Sequence, residues 1–233
     1  MIDYGCLTID FLRQPPNISE GEREIMLLDR ILRKLARQKL QEINERQRQS
    51  QLEQLPRFRL RPKNVQGGII IADREALLQN MPSHGIVAEI GVDEGKFSEK
   101  IKEINKPKKL HLIDPWGSRR YNEDKAQHVF DTFRNDIDEG SAKIHRKIST
   151  DAAHEFPDGY FDWIYIDTTH SYPTTISELY AFSSKVKPSG FIAGHDYTMG
   201  NWRSSLKYGV IEAVAEFCTK EDWKLAYWTA DFT

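Results

Sequence analysis

The sequence predicts an α/β fold, a mainly parallel sheet with helices on both faces, preceded by an N-terminal helical extension. Three observations point to it. From Gly85 onward, short apolar runs alternate with helical stretches, the order that builds parallel sheets through crossover helices. Those runs are apolar at nearly every position, as in strands covered on both faces. Residues 19–55 carry a helix-period apolar stripe instead.

In the extension, Ser19 followed by Glu22 fits a capping box, and apolar residues recur at Ile25, Leu28, Leu32 and Leu35. Leu40 and Ile43 continue the stripe less regularly, and the helix runs into a Gln-rich stretch near residues 44–54. Such a stripe is a packing face, turned to its own domain or to a twin subunit in a homodimer. The alternative is that Arg30, Arg33, Lys34, Arg37 and Lys39 form a patch for an anionic partner. Pro56 and Pro62 punctuate a basic link, so the extension and linker span 1–65 and the main domain 66–233.

Within the main domain, residues 67–85 read as a helix leading in. Strands follow at Ile86–Ile90, Leu110–Ile113, Lys143–Ile148, Trp163–Ile166, Phe191–Ala193 and Trp223–Trp228. Helices fall at Lys96–Ile104, Ala126–Ile137, Thr174–Ser184 and Gly209–Cys218. A length of 233 residues suffices for one α/β domain plus an appendage. The formal net charge of −2 supplies no drive toward nucleic acid or an anionic membrane. No apolar run approaches the ~20 residues of a membrane span, and no apolar leader is evident, so a cytoplasmic location is expected. Two cysteines make neither a disulfide framework nor a zinc knuckle.

Chemistry gathers at strand ends, where open α/β sheets bind ligands. Asp167 and His170 follow one strand, and His195 with Asp196 the next. After the first strand, Gly91 and Gly95 let backbone approach a ligand, while Glu89, Asp93 and Glu94 crowd the same turn. Three acids repel a pyrophosphate and suit a cation, so S-adenosylmethionine, with its sulfonium and ammonium, is preferred over a dinucleotide. Asp114, 19 residues after Gly95, stands about where an acid accepts both ribose hydroxyls. Ser149 stands where a hydroxyl often meets adenine, though it also reads as a helix cap. Trp116 either flanks the adenosine or belongs to the core.

The blocks VAEIGVDEGKFS, HLIDPW, FDWIYIDTTHSY, KPSGFIAGHDY and GVIEAVAEF, in that order, resemble the class I S-adenosylmethionine-dependent methyltransferases with their Rossmann-like fold. Within that class they look like the small-molecule group related to macrocin and other sugar O-methyltransferases. The resemblance covers roughly residues 66–218. It implies that Glu89 and Gly91 line the methionine portion and that Asp114 holds the ribose. It also implies that Asp167, His195 and Asp196 bind a divalent cation, Mg²⁺ or Mn²⁺, with Asp167 also lining the cofactor pocket and His170 acting as general base. His195 departs from the carboxylate or amide usual there, and an imidazole favours softer ions than Mg²⁺. The class also ends in an antiparallel strand pair, of which this sequence holds only the first.

The expected reaction is O-methylation of a sugar or other small hydroxylated acceptor, with the cation lowering the hydroxyl pKa and His170 taking the proton. Two other readings compete. One is a nucleic-acid methyltransferase docking through the basic helix, which is disfavoured because no Asn-Pro-Pro-aromatic block is present. The other is a non-catalytic assembly module that keeps the cofactor fold. Arg120, Tyr121, Trp202 and Arg203 are candidates to shape the acceptor pocket.

Overall fold

The structure, a computed structural model, describes residues 19–201 and 206–231. These divide into two compact units, one ending at Glu53 and one starting at Gln54. The first is made by helix α1 (Glu20–Gln54), whose last residue falls to the second unit. The stripe residues Ile25, Leu28, Leu32 and Leu35 are exposed along α1. The side chain of Glu22, the expected capping partner, lies outside the described residues, as do most side chains of the Gln-rich stretch.

The second unit opens with α2 (Pro62–Val65), where buried Asn64 donates from Nδ2 to the carbonyls of Cys218 and Trp223, both at 2.8 Å. Residues 67–85 are not the single helix expected. They form strand β1 (Ile69–Ile71) and helix α3 (Arg74–Asn80). Three successive β-branched isoleucines favour the strand, and Asp73 caps α3 by accepting from the Ala76 N–H at 2.7 Å.

Then come β2 (Ile86–Ile90), α4 (Lys96–Asn105) and β3 (Lys109–Ile113), close to expectation. The helix expected over 126–137 starts earlier, behind the Asn122 cap, and breaks at buried Phe133 into α5 (Glu123–Thr132) and α6 (Arg134–Asp138). Strand β4 (Ala142–His145) stops short of Ile148, because Ser149 already opens α7 (Ser149–Ala153). The order continues with β5 (Phe161–Ile166), α8 (Tyr172–Ser183) and β6 (Val186–Gly194). A small antiparallel pair, β7 (Gly200–Asn201) and β8 (Leu206–Lys207), precedes α9 (Val210–Glu221) and β9 (Tyr227–Thr229).

The central sheet has the order β4-β3-β2-β5-β6, parallel throughout. Strand order reverses between β2 and β5, the switch point where such sheets bind ligands. This is a Rossmann-like arrangement, as the sequence predicts. One core layer packs Val87, Leu112, Trp163 and Tyr165 against Leu78, Ile101 and Val129. The other packs Ala88, Ile113 and Ile164 against Ala152, Phe182 and Phe217. The three inner strands β2, β3 and β5 are buried on both faces, which accounts for their unbroken apolar runs.

The last strand is a correction. It is shorter than Trp223–Trp228 suggested, and it pairs in parallel with β1, outside the central sheet. Gly68 makes this possible, because a Cβ there would overlap the Trp228 ring. Among the described residues no helix is long and apolar enough to cross a membrane.

Candidate active site

The β5 and β6 ends are built by two left-handed residues. Beyond Ile166, Asp167 donates its N–H to the Ile90 carbonyl at 2.7 Å, and the chain turns through His170 at φ 59°. Beyond Gly194, His195 donates its N–H to the Ile166 carbonyl at 2.9 Å, and Asp196 turns at φ 56°. Positive φ is costly for residues with a Cβ and persists where the surroundings enforce it. His170 does not cap the helix behind it. Ser171 does, accepting from the Thr174 N–H at 3.4 Å, and this leaves the imidazole to the site.

The four side chains expected at these strand ends converge. His170 Nε2 lies 3.0 Å from Asp167 Oδ1, and His170 Nδ1 lies 3.4 Å from Asp196 Oδ2. His195 Nδ1 is 3.3 Å from Asp196 Oδ2 and 3.7 Å from Asp167 Oδ1. That nitrogen is buried and makes no hydrogen bond among the described residues. Donor atoms of Asp167, His170 and His195 all lie within 4.8 Å of one another. Two imidazoles and a carboxylate at this spacing fit a divalent ion of borderline softness better than Mg²⁺, and the unsatisfied His195 nitrogen is the kind of atom such an ion would engage.

Two side chains here escaped the sequence reading. Tyr208 sets its ring 4.9 Å from the His170 ring and its hydroxyl against Asp196, and burial pushes the phenol pKa up. Its placement follows from Gly209, which is pressed so closely on the Tyr172 backbone that a Cβ would overlap it. The Gly209 N–H also donates to the His170 carbonyl at 2.8 Å. Arg74, at the start of α3, lies over the Phe97 ring at 5.2 Å and beside the Tyr165 hydroxyl. Burial works to lower its pKa, but Tyr165 and the charges of Asp167 and Asp231 together outweigh that and hold it up. The available signals were slight: an aromatic just before Gly209, and one arginine behind an N-cap aspartate.

The β2 turn stands next to this cluster. Gly91, at φ 90°, lies against Asp167, whose carbonyl oxygen a Cβ would overlap. Gly95, at φ 80°, forms the N-cap of α4. Glu89 is buried, with its carboxyl accepting from Ser98 Oγ, and burial pushes its pKa up to about 8. The crowd of acids expected to favour a cation is weaker than it read. Lys125 on α5 pairs with Asp93 and, at 3.2 Å, with Glu94, and Glu89 is largely protonated at neutral pH. Helix packing supplies that lysine from 32 residues beyond Asp93.

Asp114 is buried and faces inward. Its Oδ2 accepts from the Val92 and Asp93 N–H groups at 3.0 and 3.1 Å, and Oδ1 from the Trp116 N–H at 2.8 Å. It therefore braces the β2 and β3 turns against each other. Trp116 belongs to the core, with Nε1 donating to the Asp93 carbonyl at 2.9 Å. The Ser149 hydroxyl donates to Glu178 at 2.6 Å, and the Thr168 hydroxyl to the other oxygen of that fully buried carboxyl at 2.8 Å. Glu178 was not anticipated. It ties the Ser149 loop to the Asp167–His170 turn. Of the acceptor-pocket candidates, Arg120 stacks on Tyr121 at 5.1 Å, and Trp202 and Arg203 lie outside the described residues.

Residues 88–197 match the family model described as a methyltransferase domain. The match runs from within β2 to just past β6, so the glycine turn and both charged strand ends lie inside it. No curated protein matches the chain. Among solved structures, a Corynebacterium glutamicum protein is similar at 13% identity and a TM-score of 0.47, covering 76% of this chain and 79% of its own. A precorrin-6y C5,15-methyltransferase from Geobacter metallireducens shares 11% identity at a TM-score of 0.46, covering 68% and 74%. A precorrin-8w decarboxylase from Methanobacterium thermoautotrophicum shares 15% identity at 0.41, covering 61% and 70%. At such identities and TM-scores the likeness says nothing of substrate.

Proposed function

We propose that this protein transfers a methyl group from S-adenosylmethionine to a hydroxyl of a sugar or another small molecule, assisted by a divalent cation. The observation that supports it best is the convergence of Asp167, His170, His195 and Asp196 beside the Gly91 turn, within the methyltransferase-domain match.

In this reading the Gly91 and Gly95 turn receives the cofactor, with Glu89 beside the methionine portion and Asp114 holding the turn in shape for the ribose. Ser149 borders the adenine end through its bond to Glu178. Asp167 accepts the His170 Nε2 proton, which fixes the tautomer and leaves Nδ1 as the proton acceptor. His170 Nδ1 takes the acceptor's hydroxyl proton as the oxygen bonds to the methyl carbon and the carbon–sulfur bond breaks in line. Asp167, His195 and Asp196 would hold the cation, which when bound lowers the pKa of the acceptor hydroxyl.

A second reading makes His170 a metal ligand, favoured by the mutual 4.8 Å spacing of its donor atom with those of Asp167 and His195. Calorimetric titration with S-adenosylmethionine, with and without Mn²⁺ or Mg²⁺, tests the proposal, followed by labelled-methyl transfer to a panel of sugars and phenols. Failure to bind the cofactor overturns it. Metal uptake by His170→Ala separates the readings: retained uptake with lost turnover supports the base, and lost uptake the ligand.

A further inference from the structure

Helix α1 carries an apolar seam that is exposed among the described residues. Ile25, Leu28, Leu32 and Leu35 are 68%, 58%, 63% and 55% exposed. Their spacing of three, four and three residues is that of a two-helix seam. The next seam positions, Lys39 and Glu42, are charged, so the apolar stretch ends at Leu35. A lone helix in water draws most of its stability from packing such a face, and a continuous exposed stripe marks an interface.

We infer that the partner is a second copy of this chain, with the two α1 helices antiparallel and a two-fold axis at Arg30. The seam is self-complementary about that residue: Ile25 of one copy stands opposite Leu35 of the other, and Leu28 opposite Leu32. Charge selects the direction. Residues 20–29 hold Glu20, Glu22, Glu24 and Asp29 against Arg23 alone, whereas residues 30–39 hold Arg30, Arg33, Lys34, Arg37 and Lys39 and no acid. Antiparallel pairing lays the acidic segment along the basic one over about 30 Å. Parallel pairing would instead lay each basic segment along its own copy and set Lys39 against Lys39 at the seam, a like-charge arrangement that disfavours it.

Sedimentation of the full chain at tens of micromolar is expected to give twice the 27.1 kDa chain mass. Leu28→Glu with Leu32→Glu should give a monomer, while the melting of the other unit is unchanged. Cysteine placement reads direction: in a Cys6→Ser background, Ile25→Cys mixed with Leu35→Cys should cross-link, and Ile25→Cys alone should not. A monomeric wild type, a dimer that survives the double substitution, or self-cross-linking of Ile25→Cys each overturns the inference.

Discussion

Nε2 of His170 lies 3.0 Å from Asp167 Oδ1, across a turn whose left-handed residue is His170 itself. In the proposed mechanism this carboxylate takes the Nε2 hydrogen bond and leaves Nδ1, 3.4 Å from Asp196 Oδ2, to receive the acceptor's proton. His170→Ala should retain S-adenosylmethionine binding within about twofold and lose at least 100-fold in turnover, the usual span of general-base loss. Asp167→Asn should also lose turnover, because an amide can donate to Nε2 and set the opposite tautomer, where a carboxylate can only accept. Calorimetry and initial rates on the same preparations check both.

Gly91 cannot carry a side chain. Its φ is 90°, and a Cβ would overlap the Asp167 carbonyl oxygen. Gly91→Ala should cost ~3 kcal/mol or more of stability, since backbone, not a movable side chain, stands in the way. Denaturant unfolding measures it, and Gly140→Ala, at φ 78° with open space around it, isolates the backbone part of that cost.

Two buried groups set opposing pH slopes on stability. Burial raises Glu89 to about 8 from an ordinary 4.5, so its contribution is full below 4.5 and is lost as pH rises toward 8. Burial lowers His111 to about 3 from 6.5, so its contribution is full above 6.5 and is lost as pH falls toward 3. Each slope is about 1.4 kcal/mol per pH unit. They cancel between 4.5 and 6.5, leaving stability nearly flat there and falling on both sides. Glu89→Gln should abolish the alkaline fall and leave the acid one; denaturant midpoints from pH 4 to 9 test it.

Arg74 brings a half-buried cation near Glu89 and Asp167, and the proposed cofactor carries one carboxylate. Arg74→Gln should weaken S-adenosylhomocysteine binding 10- to 100-fold, the worth of one charged hydrogen bond, and leave methylthioadenosine, which lacks the carboxylate, unchanged. Equal weakening of both ligands would assign Arg74 to structure alone.

The strand-end acids and histidines were legible because the apolar strands of a parallel sheet end in polar turns, and those turns hold His170, His195 and their aspartates. The helix-period stripe of α1 was legible for the same kind of reason, a local period read directly from residue spacing. Where a side chain's partner comes from a distant element, the sequence was silent. Lys125 neutralises the β2 turn from α5, Glu178 draws Ser149 inward from α8, and Tyr208 reaches His170 from beyond the β7–β8 pair. Asp114 is the plainest case. Its position after the strand follows from the sequence, but whether its oxygens face ligand or backbone depends on three N–H groups brought together only by packing. Local patterning set the elements and the residue types at their ends. Tertiary structure decided which of those residues are paired, buried or protonated, because Coulomb interactions and desolvation depend on neighbours in space.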